Sequence, residues 1–382
     1  MADLIVFGED WGGLPSSTQH LISHLMKKHR VIWVNSIGMR APQLSLRDLK
    51  RLFQKALAML KGSDKTKKNN SEQILPVIIN PKVLPFYGFK LIRRLNKYLL
   101  LKDLDKAIEQ QGFENIVLWL SLPTAVDMIG SLNEQVSIYY CGDDFEALDG
   151  VDHAMVNPLE QELSGKVDLI LVVSKTLAQK FNNPNTIILP HGVDYPLFSS
   201  PENKPEDLPL NGPIAGFYGS ISAWLDTDIL AQSAIALPSW QFVFIGDIKT
   251  DVSSLQALPN VHFLGSRPHD QLPSYVQHWN VAMLPFRKNR QIEACNPLKL
   301  REYLASGTPI ASTLFPAVRE YEDIVAIQSS REPFSRVILR ADQLQKDKAI
   351  RQETVAKESW QHRAIQLEAL IDHLTKAKKT FH

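Results

Sequence analysis

The chain has 382 residues, a length that usually folds as two domains, and its 44% apolar content is enough for two cores. A net charge of +1 gives no global field for holding nucleic acid, so no nucleic-acid partner is expected. Cys141 and Cys295 are the only cysteines. Two cannot make a disulfide scaffold or a Cys-rich zinc site, and they suit a reducing compartment.

The N-terminus runs directly into an apolar strand, with neither a basic n-region nor a cleavage site. No uninterrupted apolar run reaches transmembrane length, so a cytoplasmic protein is expected. Short β-branched runs then alternate with helical patterns, which predicts parallel sheets. In the first half the expected strands are 4–8, 31–35, 116–120, 136–140, 169–173 and 186–189, with helices such as 17–28 and 176–181 between them. The polar, proline-rich segment 199–212 reads as an interdomain linker. A second alternating series follows, with strands at 214–219, 242–246, 261–265, 281–286, 310–313 and 325–328, and the last forty residues read as helix. Ligands of such sheets bind beyond the carboxyl ends of the strands, and every motif of interest falls at such an end.

The first of these, Gly8 to Ser17, links a strand to a helix, and Gly12 and Gly13 let backbone approach a ligand closely. Its spacing is not the G-x-G-x-x-G fingerprint, so NAD binding is not supported. The alternative is a plain tight turn. Two basic stretches, 47–61 and 87–101, mix cations with leucine and aromatics at helical spacing. Each suits an anionic membrane surface, or an ordinary surface helix with its leucines in the core. Tyr139-Tyr140-Cys141-Gly142-Asp143-Asp144 places carboxylates at a strand end, where one suits a general base toward an acceptor hydroxyl. Neighbours in an extended segment point opposite ways, so one of the pair is expected to reach substrate, Asp144 first and Asp143 next. A helix N-cap and a metal-binding acidic pair are the competing readings.

Asn296-Pro297-Leu298-Lys299-Leu300-Arg301-Glu302-Tyr303-Leu304-Ala305-Ser306-Gly307-Thr308-Pro309 reads as a complete helix. Asn296 is the expected N-cap, Pro297 the first helical residue, Gly307 the left-handed stop. Lys299, Glu302 and Ser306 share one face. Free N–H groups, the positive dipole end and a lysine in the first turn suit a pyrophosphate, and a glutamate one turn on suits ribose hydroxyls.

That run resembles the donor-binding helix of GT-B glycosyltransferases. Leu189-Pro190-His191-Gly192-Val193-Asp194 resembles a turn near the domain junction of the same enzymes, where His191 is read as structural. Phe217-Tyr218-Gly219-Ser220-Ile221 is similar to their Gly-x-Ile/Leu loop near the donor phosphates. Many retaining members place Arg or Lys just after it. Here Ser220, Ser222 and Trp224 stand instead, which puts more weight on Lys299. The Tyr-x-x-Asp-Asp strand end and the Asn-Pro-x-Lys helix start resemble bacterial polysaccharide transferases of the teichuronic-acid and xanthan-type glucuronosyltransferase kind.

The resemblance implies an α/β GT-B fold, with two Rossmann-like domains facing each other across a cleft. Residues 1–198 would form the acceptor-side domain, 199–212 the linker, 213–345 the nucleotide-sugar domain, and 346–382 a helix crossing back to the first. It implies transfer of a sugar from a nucleotide diphosphate, UDP foremost, to a hydroxyl of a glycan or lipid-linked acceptor in polysaccharide biosynthesis. The catalytic base would be Asp144 or Asp143. Lys299, Glu302, Asn296, Pro297, Gly219, Ser220, Gly246 and Arg267 would line the donor, Arg267 beside the base or a phosphate. Gly12 and Gly13 would line the acceptor side. No catalytic metal and no cofactor beyond the nucleotide sugar are implied. A lipid-linked acceptor would favour peripheral contact at the inner face of the plasma membrane. Retaining relatives often carry Glu-x7-Glu. Its first glutamate falls at Ala294 here, with Glu293 one position away; this departure loosens a retaining assignment, and the nearby carboxylate base with the xanthan-type resemblance leans toward inversion. The competing expectations are a nucleotide-sugar epimerase of related fold and a non-catalytic nucleotide-binding or assembly protein.

Overall fold

The computed structural model describes residues 1–13, 15–38, 74–148 and 151–380. The chain divides into two compact units. One comprises Met1–Val172, Ala178–Ile188 and Leu367–His382; the other comprises Val173–Leu177 and Leu189–Gln366.

Among the described residues the first unit holds seven strands: β1 (Asp3–Phe7), β2 (Arg30–Val34), β3 (Val77–Ile79), β4 (Ile116–Leu120), β5 (Val136–Cys141), β6 (Leu169–Val172) and β7 (Thr186–Ile188). They lie in the order β3-β2-β1-β4-β5-β6-β7, and every pairing is parallel. Covered on both faces, β1, β4 and β5 are buried at every position, as their continuous apolar runs require. The sheet reverses its order between β1 and β4, so the loops after these central strands open at a topological switch point. The edge strand β3 has no counterpart among the expected strands. Pro76 and Pro81 bracket it, leaving a run too short to show alternation.

The second unit repeats the plan. Its strands are β8 (Ile214–Tyr218), β9 (Gln241–Ile245), β10 (Val261–Phe263), β11 (Val281–Leu284), β12 (Ile310–Ser312) and β13 (Ala326–Ile327). They run parallel in the order β10-β9-β8-β11-β12-β13, with the switch point between β8 and β11. Phe217, Phe242, Phe244, Leu284, Tyr303 and Leu304 sit in its core. Segment 199–212 lies wholly within this unit, ahead of β8.

The helical C-terminal stretch is two helices, Lys348–Ala356 and Trp360–Thr380. At the break, Val193 donates to the Glu358 carbonyl and accepts from the Trp360 N–H, at 3.0 and 3.2 Å. The last helix begins in the second unit. From Leu367 onward it belongs to the first, where Leu367 and Ile371 are buried. There Glu368 pairs with Lys28 at 2.9 Å, and Lys378 with Asp168 at 2.6 Å. The basic helix expected at 87–101 is Lys90–Gln111. The one expected at 47–61 lies outside the described residues.

Candidate active site

The helix bearing the expected donor residues is Leu298–Ser306, ended by Gly307 at φ 76°. It starts one residue later than the sequence suggests. Pro297 occupies the cap position, and no side chain caps the first turn. Asn296 has other partners: its Nδ2 donates to the Val173 carbonyl at 2.7 Å, and its Oδ1 accepts from Arg301 Nη1. Arg301, itself buried, reaches Glu358 at 2.7 Å, and Glu358 also pairs with Arg363 at 3.1 Å and accepts from the Tyr321 hydroxyl at 2.9 Å. The leading N–H groups of the helix are thereby left for a ligand, while its start is tied to buried polar groups.

Lys299 projects from the first turn to the ends of β8 and β9. Its tail crosses Gly219, where a Cβ would stand 2.1 Å from Lys299 Cε. Gly219 in turn supports Gly246, where a Cβ would stand 2.0 Å from the Gly219 carbonyl oxygen. Both glycines have φ values that other residues rarely adopt, 124° and 143°. The ammonium lies 5.4 Å from the Trp224 ring centroid and 5.8 Å from that of Phe217. Among the described residues no carboxylate comes within ion-pair distance of it. Burial pulls its pKa down, electrostatic interaction with Glu302 and then Cys295 pulls it up, and the net value is below the usual lysine range. A cation so placed, beside open helix N–H groups, has the chemistry to meet an anion. Ser220 and Ser222, half-buried, follow Gly219 in the same loop.

Glu302 is buried one turn on. Tyr218 donates its hydroxyl to one carboxylate oxygen at 2.5 Å, and His269 Nε2 meets the other at 2.8 Å. Burial raises the Glu302 pKa, but His269, Tyr218 and Lys299 outweigh it and hold the group ionised, below its ordinary value. For His269, burial lowers the pKa, while Glu302, with the charges of Asp194 and Asp270, raises it more. Each Glu302 oxygen keeps a second lone pair for a hydroxyl donor. Arg267 is already engaged: it pairs with Asp207 at 2.7 Å and donates to the Tyr275 hydroxyl at 3.0 Å. Asp247, after Gly246, accepts from Ser266. His191 is buried near Trp360, and Gly192 lies so close to that indole that a Cβ would come within 2.7 Å. This turn is a structural joint.

In the first unit the two acidic residues after β5 part company. Asp144 is buried and accepts from Lys180 Nζ at 2.9 Å; the same ammonium reaches Glu160 at 2.6 Å and Glu146 at 3.5 Å. Tyr139 donates to Glu160 at 2.6 Å. Asp143 makes no side-chain hydrogen bond among the described residues. Asp143 is exposed, and only the protein atoms packed beside its carboxyl limit its solvation. That partial desolvation, with the charges of Glu9 and Asp144, pushes the carboxyl up to about 6. Glu9 belongs to the loop after β1, which is held by a Gly13 N–H bond to the Asp10 carbonyl and a Gly12 N–H bond to Gln19. Ser16 donates to Glu9 and caps the helix Ser17–Leu25.

The sequence reading missed His269, Tyr218, Lys180, Glu160 and Glu358 as partners of the site residues. Glu302 and His269 are 33 positions apart, Asp144 and Lys180 are 36, and no spacing rule connects them. Tyr218 had a local signal, since it ends β8 immediately before Gly219.

Comparison with known proteins adds to this geometry. Residues 212–341 match the family model described as glycosyl transferases group 1. TuaH of Bacillus subtilis (strain 168), named for a glycosyltransferase role in teichuronic acid biosynthesis, is 28% identical over 232 residues. That match covers 55% of this chain and 58% of the relative, so the chain spans somewhat over half the length of the curated protein it matches. Among solved structures, sucrose-phosphate synthase from Thermosynechococcus elongatus superposes with a TM-score of 0.69 at 15% identity, over 99% of this chain and all of that one. Anabaena HepE in complex with UDP and glucose does so with a TM-score of 0.67 at 13% identity, over 97% of this chain and all of that one. The chain has the GT-B fold of two Rossmann-like sheets, and residues 212–341 of its second unit resemble the group 1 glycosyl transferases.

Proposed function

We propose that this chain transfers a sugar from a nucleotide diphosphate, UDP foremost, to a hydroxyl of a glycan or lipid-linked acceptor in polysaccharide biosynthesis. The observation that carries the reading is Lys299: a cation with no ion-pair partner among the described residues, at an uncapped helix start, beside the glycine ends of β8 and β9. Anabaena HepE, which shares the fold, is described with UDP and glucose bound.

In this reading Lys299 and the first-turn N–H groups bind the diphosphate and stabilise the charge that develops as it leaves. Glu302, oriented by Tyr218 and His269, accepts from ribose hydroxyls. The acceptor oxygen forms a bond to the anomeric carbon as the carbon–diphosphate oxygen bond breaks, and the hydroxyl proton passes to Asp143. A carboxylate with a pKa near 6 is well matched to that transfer at neutral pH. Asp144 is assigned to holding Lys180 instead. The single displacement inverts the anomeric centre and draws on no metal ion. In this reading the transfer takes place in the cytoplasm, at the inner face of the plasma membrane.

Calorimetry with UDP tests the reading. Wild type should bind, and Lys299→Ala should bind at least tenfold more weakly, since a charge-assisted hydrogen bond is worth about 1.5–3 kcal/mol. Silence of the wild type toward UDP and other nucleoside diphosphates would overturn it.

A further inference from the structure

The helix Lys90–Gln111 buries Asn96, Leu100, Leu104 and Ala107, and these set its core-facing stripe. The opposite stripe at its N-terminal end is apolar and faces water: Leu91 is 78% exposed, Tyr98 65%, and Leu95 is exposed as well. The preceding loop adds exposed Leu84, Phe86 and Phe89, the last at 65%. This loop is pinned. The Asn96 side chain accepts from the Leu84 N–H and donates to the Leu84 carbonyl, both at 2.8 Å, and Tyr87 is buried. The contacts that fix the backbone thus hold six large apolar side chains outward.

Charge surrounds them. From Pro81 to Lys102 the chain carries Lys82, Lys90, Arg93, Arg94, Lys97 and Lys102 and no acidic residue. Arg93 turns to Asp127 and Glu162, at 2.5 and 2.9 Å. Among the described residues none of the other five makes an ion pair. Phe89 precedes the helix without a side-chain cap, so the positive end of the helix lies among these cations. Among the described residues no helix is long and apolar enough to cross a membrane. A surface of leucine and aromatic side chains rimmed by unpaired cations matches the boundary between anionic headgroups and acyl chains. A protein partner would have to bring an acidic rim around an apolar centre to satisfy the same face.

We propose that the Leu84–Phe89 loop and the first turns of the Lys90–Gln111 helix form a docking surface for an anionic lipid bilayer. Phe86, Phe89 and Leu91 enter the interface, and Lys90, Arg94 and Lys97 meet lipid phosphates. The inference stands apart from the donor site, because every residue it uses lies in the first unit.

Cosedimentation of the full chain with vesicles tests it, using phosphatidylglycerol with phosphatidylethanolamine against phosphatidylcholine alone. Binding should require the anionic lipid and weaken at high salt. Lys90→Gln with Arg94→Gln should bind about 25-fold more weakly, at roughly fivefold per cation. Phe86→Ser with Phe89→Ser should abolish binding while the melting temperature stays unchanged. A wild type that does not sediment with anionic vesicles overturns the proposal, as does a serine variant that sediments equally. Loss of self-association in the serine variant without any vesicle binding also overturns it, making a second copy the occupant. The vesicle result reads the same whether or not UDP binds, so the two proposals fail separately.

Discussion

Asp143 and Lys299 are each held in a protonation balance that an isolated side chain would not choose, and this makes both testable. The folded Asp143 carboxyl titrates near 6, above its ordinary value of 3.8, so the folded state binds this proton more tightly than the unfolded state. Stability from this group is therefore fully present below about pH 4 and is lost as pH rises through about 6. Asp143→Asn should melt higher than wild type above pH 6, with the gap closing toward pH 4. The same variant should keep UDP affinity and lose transfer, while wild-type transfer should rise through pH 6. Equal melting curves at pH 7.5, or full transfer by the variant, would remove Asp143 from the role. These two residues were legible as types in the sequence; their settings were not. The strand end offered two adjacent carboxylates, and Lys180, 36 positions away from Asp144, separates them by pairing with one.

At the scale of elements, the start of the Leu298–Ser306 helix depends on a carboxylate far along the chain. Glu358 meets Arg301, Arg363 and Tyr321, and Arg301 passes the connection to Asn296. Glu358→Ala would leave Arg301 buried without its ion pair, a change that costs about 3–5 kcal/mol. A matching fall in the urea midpoint is expected, with weaker UDP binding as the helix start loosens; an unchanged midpoint would mean that other groups hold it. Here the sequence misled for a clear reason. Asn296 has the right chemistry and spacing for an N-cap, but a guanidinium and a carbonyl brought in by the fold compete for its side chain and win. Strands were more readable, because a buried parallel strand must be an apolar run. Their ends were read a residue long at Gly219 and Gly246, which sit just beyond the last paired residues, where Lys299 crosses Gly219 and Gly219 meets Gly246.

At the scale of the whole molecule, the strand order of the second sheet repeats that of the first apart from the first sheet's extra edge strand β7, so each unit opens its central loops at an equivalent switch point. The overall charge of +1 conceals an entirely basic stretch from Pro81 to Lys102, which a composition average cannot show. The division into units also interleaves the chain, since Leu367–His382 completes the unit that Met1 begins. Chains stopped after Gln366 lack Leu367, Ile371 and the Glu368 and Lys378 ion pairs. Their seven-stranded sheet should be cut by protease well before their six-stranded sheet, and equal resistance of the two would show that the helix is dispensable. On the ribosome the consequence is an inversion of order. The unit that starts first finishes last, because its closing helix is made only after all of the second unit has been synthesised. The first sheet must therefore wait, incomplete, through the synthesis of its neighbour, and that interval is when the nascent chain is most open to chaperones and to aggregation.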